Sequence, residues 1–161
     1  MPLSNQVLFS EFEKFMNAES ASFNNFPVSP VEFGQLFSSA VDKYVSTIFP
    51  AVTPAARSQG KIALSSALAA VGPPPKGLPF TETISAAMAA YSITIAGGML
   101  PAFVGVPPVQ PIGNLIQPVF ALGMASRPSA EILSAMSKII HSWFKTGTAT
   151  PSGGGSPIPW S

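Results

Sequence analysis

An all-α fold is what the sequence predicts: five to six helices in an irregular bundle, with Pro/Gly-rich apolar loops and an extended C-terminal arm. Three observations carry that prediction. Apolar residues recur at i, i+3, i+4 spacing in several separate segments. Ser or Thr stands directly before Pro at two of the starts, which suits an N-cap followed by the first helical residue. Only SITI (92–95) and AFVGV (102–106) look strand-like, and both are short. A chain of 161 residues is one domain with a real core. The helical domain is expected over 1–147, with a candidate sub-boundary at the Pro-rich connector 72–79, and the Gly/Pro/Ser-rich arm over 148–161.

The first helix is expected from Leu3 to about Ala18. Leu8, Phe12, Phe15 and Met16 form an apolar stripe, with Glu11, Lys14 and Asn17 between them. The linker SASFNNFP suits a turn. In VSPVEF, Ser29 is the N-cap, Pro30 takes N1 and Glu32 takes N3. Ser29 and Glu32 then form a capping box, and Val28 and Phe33 occupy the staple positions. Phe33, Leu36, Phe37, Ala40, Val41, Tyr44, Val45 and Ile48 share one broad face of this second helix, and Pro50 ends it. Thr53 and Pro54 open the third helix, with Gly60 a weak spot inside and Gly72 a C′ residue.

GPPPKGLP reads as a stiff, extended connector. The fourth helix runs from near Thr81 and Glu82 to about Ala96, where Gly97–Gly98 ends or bends it. MLPAFVGVPPVQP is apolar but too rich in proline to continue a helix. A short helix is expected over 116–124, with Pro118 in its first turn. The last helix has Pro128 near N1. Ile132, Leu133, Met136, Ile139, Ile140, Trp143 and Phe144 form its stripe, with Lys138, His141 and Lys145 opposite and Gly147 as the C′ residue. The tail TATPSGGGSPIPWS would be flexible by itself.

Charged residues make up 9% of the chain, against roughly 25% in an ordinary soluble domain. None lies between Glu82 and Arg127. A surface with so few charges is expected to be covered by lipid or by protein neighbours. The formal net charge is +1 and the basic residues are scattered, so no direct nucleic-acid binding is expected. The absence of cysteine excludes disulfides and thiolate metal sites. The N-terminus has no basic region ahead of an apolar run, so no secretory signal is expected and the chain is read as made and kept in a cytoplasm.

Enzyme signatures are missing. His141 is the only histidine, and Glu131 is the nearest carboxylate along its helix. GGML and PSGGGSP lack the Lys-Ser/Thr of a phosphate loop. Glu11 with Glu13, or Glu32 with Asp42, could pair across the fold, but nothing in their spacing requires it. No serine has a base placed to activate it. No catalytic residue, cofactor or metal is expected. His141 is read as a solvated or partner-facing residue.

Thr83 to Val106 is long enough to cross about 30 Å of hydrocarbon if helical. Ala86, Ala90 and Gly97 would suit tight packing in lipid. Against a membrane span stand Ser85, Tyr91, Ser92, Thr94, Gly97, Gly98 and Pro101, which weaken or break it. No basic cluster flanks it. Burial among protein chains is favoured. The expected partner-binding residues are Met99, Leu100, Phe103, Val104, Val106, Val109 and Ile112 in the loop, with Ile158 and Trp160 in the arm. Trp160 has two readings: it folds back on its own core, or it anchors in a pocket of a neighbour. Ser92→Lys is expected to abolish a membrane span and only to weaken assembly if its side chain reaches a surface.

TISAAMAAYSITIAGGM, then PIGNLIQP, then IIHSWFKTGTATP set a small-residue helix, a Gly/Pro loop, an amphipathic helix and a Thr/Pro/Gly tail in order. Over roughly residues 80–161 this resembles small virion proteins of tailed bacteriophages, of the tail, baseplate or neck kind. The resemblance implies a non-enzymatic structural subunit of a phage-like virion, made in the host cytoplasm. It would be present in many symmetric copies and contact copies of itself and other structural proteins. It carries over no catalytic residue. The alternative is a membrane-active pore-forming or lysis protein of the holin kind, and a third reading is an intracellular helical adaptor.

Overall fold

A computed structural model describes residues 3–70, 78–118 and 130–161. The helices are α1 (Asn5–Met16), α2 (Pro30–Val45), α3 (Pro54–Ala69) and α4 (Leu78–Gly97). Strand β1 (Phe103–Val106) follows, then α5, which opens at residue 113 and is described as far as 118. The chain ends with α6 (Ala130–Phe144), β2 (Thr148–Pro151) and β3 (Ile158–Pro159). It is mostly helical, as expected, but it is not all-α. Residues 72–77 of the predicted connector, the predicted Gly72 cap, the end of the 116–124 helix and Pro128 lie outside the described residues.

The helix starts follow the local chemistry. Ser29 Oγ accepts from the Glu32 amide at 3.1 Å, and Pro30 sits in the first turn. Glu32 Oε2 reaches back to the Val28 amide at 2.6 Å, one residue earlier than a capping box would place it. The staple does not form. Val28 is 87% exposed, because Phe33 is engaged instead by Phe15 and Phe37. Thr53 caps α3 through the Ala56 amide at 3.4 Å, with Pro54 behind it. Each such cap contributes about 1 kcal/mol.

The apolar stripes meet in one core. Helix α2 packs between α1 and α3, α3 packs on α4, and α1 also packs on α6. Phe12 stacks on Phe37 at 5.3 Å, and Tyr44 and Tyr91 both meet Phe144 edge-on. Two glycines set how closely α3 is held. A Cβ on Gly34 would lie 2.5 Å from the Ser65 carbonyl oxygen, and one on Gly60 would lie 2.9 Å from the Tyr91 ring. Gly60, the expected weak spot in helix propensity, is thus also a point of close approach between α3 and α4. Ion pairs fasten the outside: Glu11 with Lys14 and Lys43, and Arg57 with both carboxylate oxygens of Asp42. At their partial exposure each is worth about 1 kcal/mol or less.

The departure from an all-helical chain is the antiparallel sheet, ordered β1-β2-β3. Val104 stands opposite Thr150 and Val106 opposite Thr148, while Ala149 stands opposite both Gly105 and Ile158. Side chains alternate across a strand, so Val104, Val106, Thr148, Thr150 and Pro159 share the outer face. Gly105 and Ala149 point inward. A Cβ on Gly105 would lie 2.6 Å from the Ala96 carbonyl oxygen, so the sheet lies directly on the end of α4. The segment 148–161, expected as an extended arm, supplies two of the three strands. Its Thr residues are β-branched and suit a pleated surface.

Candidate assembly surface

From Leu100 to Val109 the chain is presented outward by firm local contacts. Helix α4 ends at Gly97. The Gly98 carbonyl then accepts from the Thr53 amide at 3.0 Å, and a Cβ at Gly98 would collide with Ala56 and Val52. This fixes where the chain leaves α4. Met99 is buried beneath it, and β1 is then paired along its length with β2. Beyond β1, the Gln110 carbonyl accepts the Trp143 indole N–H at 2.6 Å. Ile112 is fully buried, and the Gly113 amide donates to Ser85 Oγ at 3.1 Å. The loop 107–113 is therefore pinned to α6 and to α4.

Four predicted contact residues are exposed on this frame: Leu100, Val104, Val106 and, at 86%, Val109. Phe103 and Ile158 are half-buried, and Phe103 meets the exposed Phe49 edge-on at 6.0 Å. Met99, Ile112 and Trp160 are core residues, a correction to their expected place in an interface. Their side chains are already occupied within the chain. Ile93, on the outward side of α4, and Leu115, on α5, are also exposed, and periodicity alone did not single them out. Neutral α4 residues Ala86, Ala90 and Gly97 are exposed on the turns around Ile93, a helical spacing that could have pointed to it.

A groove of about 470 Å³ runs between the first half of α4 and the loop 108–117. Thr81, Ser85 and Ala89 line one wall, and Pro108, Gln110, Asn114 and Gln117 line the other. Glu82 is the one charged residue among those lining it. Beside it, β1 is the first strand of the sheet order, so its far edge has no strand partner among the described residues. No Lys or Glu lies in or next to β1 to discourage pairing there, though Pro107 closes its end.

The arm ends in a receptor of its own. Trp160 is fully buried, and its indole N–H donates to the Thr148 carbonyl at 3.0 Å. Its ring lies on Gly147, where a Cβ would sit 2.5 Å away, and beside Phe144 at 6.3 Å. Of the two readings of Trp160, the fold-back onto its own chain is the one adopted. Gly147 has no positive φ and so is not the expected left-handed C′ residue; its missing side chain makes room for the indole.

His141, read from the sequence as solvated or partner-facing, is half-buried. Its Nδ1 lies 2.9 Å from the Tyr44 hydroxyl. Burial, then the Lys145 charge, lowers its pKa. Burial likewise pushes the Tyr44 and Tyr91 hydroxyls well above their ordinary range. Among the described residues no group of three or more His, Asp or Glu side chains could hold a metal ion, and no helix is long and apolar enough to cross a membrane. Compared with known proteins, the chain matches no family model, no curated protein and no solved structure.

Proposed function

We propose that this chain is a non-enzymatic structural subunit of a phage-like virion, of the tail, baseplate or neck kind. It docks on copies of itself and on other structural proteins. One observation carries the reading: Leu100, Val104, Val106 and Val109 stand exposed within a single uncharged segment held by α4, β2 and α6. Scattered apolar residues on a surface need no explanation, but an uncharged apolar band on a fixed frame is the kind of surface that proteins cover. The edge of β1 away from β2, which has no strand partner among the described residues, adds backbone groups to the same region.

Two measurements test the reading. Mass spectrometry of purified particles, with quantification, finds the chain at fixed stoichiometry; recovery only with membranes instead supports the pore-forming alternative. The second is Val104→Lys with Val106→Lys. Both side chains are on the outer face, so the folded chain loses about 0.5 kcal/mol or less per substitution. The helical circular-dichroism signal is retained, while incorporation into particles falls at least tenfold. Unchanged incorporation would overturn the reading.

A further inference from the structure

We propose that the C-terminal strap Ile158–Ser161 is exchanged between copies of this chain, with Gly153–Pro157 as the hinge. The proposal rests on the assembly reading above and names the means by which two copies join. The strap's seat is built entirely from residues before the hinge. The Gly147 carbonyl accepts from the Trp160 amide at 2.9 Å, and the Thr148 carbonyl accepts the indole N–H. Phe49 and Ser161 exchange two backbone hydrogen bonds, at 2.6 and 3.1 Å. Ala149 and Thr148 pair with Ile158 and Pro159. Every one of these contacts joins strap to seat, so a strap from a second copy makes the same set.

The hinge holds one backbone hydrogen bond, from the Gly154 amide to the Pro151 carbonyl at 3.0 Å, and residues 153–157 are all exposed. A Cβ on Gly153 or Gly154 would meet nothing within 4 Å, and Gly154 and Gly155 have positive φ. On the near side, Ser152 is fastened to Ala102 and Pro101, so the hinge starts at a defined point. Five extended residues reach roughly 17 Å, which sets how far the strap can travel from its own seat. An open strap exposes a whole tryptophan and leaves an apolar seat empty, so the seat is filled in either state. Because closed and exchanged states share the same contacts, local concentration decides between them. Packing of subunits side by side in an assembly raises that concentration.

The chain has no cysteine, which makes the test direct. Thr148 and Pro159 stand opposite each other in β2 and β3. Chains carrying Thr148→Cys alone are mixed with chains of different mass carrying Pro159→Cys alone, refolded together and oxidised. Exchange yields the mixed disulfide dimer, and its share rises with protein concentration. Deletion of Gly153–Gly155, which hinders closure within one chain, raises that share at least tenfold. A chain carrying both cysteines reports closure within one molecule. Val104→Cys mixed with Pro159→Cys is the control for random collision. The proposal is overturned if the full-length hinge gives no mixed dimer above that control up to millimolar protein. Light scattering on the same samples separates the two readings: oligomers without mixed disulfide overturn the exchange alone, whereas monomers at every concentration overturn the assembly reading as well.

Discussion

His141 and Gly147 show how much can hang on one atom. The imidazole of His141 has a pKa lowered by burial and by the Lys145 charge, so the folded chain binds a proton less readily than the unfolded one. Stability is therefore lost as pH falls through the ordinary histidine value of 6.5. The melting temperature should drop as the pH falls below the ordinary histidine value, and His141→Gln should flatten that step. Glu11 gives a separate, lower step. Burial alone would raise its pKa, but the hydrogen bonds and charges of Lys14 and Lys43 outweigh it and lower the value. Its contribution is lost only as pH falls below its ordinary 4.5. At Gly147 a methyl group would strike the Trp160 ring at 2.5 Å. Gly147→Ala should destabilise by about 1–3 kcal/mol, with the melting temperature falling about 2–4 °C for each.

At the scale of elements, glycines inside and at the ends of helices have opposite expected effects. Gly34→Ala drives a Cβ to 2.5 Å from a backbone oxygen of α3, which cannot step aside. Gly60→Ala meets the buried Tyr91 ring at 2.9 Å, a less close approach than the one at Gly34. Gly97 faces open space. Chemical denaturation should rank the losses Gly34→Ala above Gly60→Ala. In the second, overpacking of about 1–3 kcal/mol exceeds the gain in helix propensity of about 1 kcal/mol. Gly97→Ala should be neutral or stabilising. Helix starts are legible in the sequence because a cap is a contact between residues three apart, as at Ser29 and Thr53. The strands are not, because β1 finds its partner only after α5 and α6. AFVGV does alternate toward its end, and TAT is β-branched, yet nothing in either segment names the other. The candidate surface was legible where apolar side chains stand in the loop, at Val104, Val106 and Val109. It was illegible where burial depends on the whole fold, at Met99, Ile112 and Trp160.

The whole molecule divides its few charges unevenly. Several are used in fastening helices to each other, at Glu11, Lys14, Lys43, Asp42 and Arg57. The stretch between Glu82 and Arg127, which contains β1, has none. That division gives a sharper comparison than Ser92→Lys, which cannot separate assembly from membrane insertion. Ser92 is fully buried, its hydroxyl bonded to the Ala89 carbonyl at 2.8 Å, and a lysine there breaks the core. Ile93, one residue on, is 61% exposed. If the chain is a virion subunit, Ile93→Lys should fold normally and lower incorporation into particles by several-fold, whereas Ser92→Lys should fail to fold. If the chain acts in lipid, both should abolish association with vesicles.

Trp143 and Trp160 are both hidden from solvent, each with its indole N–H on a backbone carbonyl. One is locked in α6 and the other rides at the end of the strap. Intrinsic fluorescence can therefore distinguish them without any label: Trp143 is a steady reference, and a red shift in the remaining emission marks the moment a strap leaves its seat. Stopped-flow mixing of assembled with free chains would then time the exchange, using light the protein already emits.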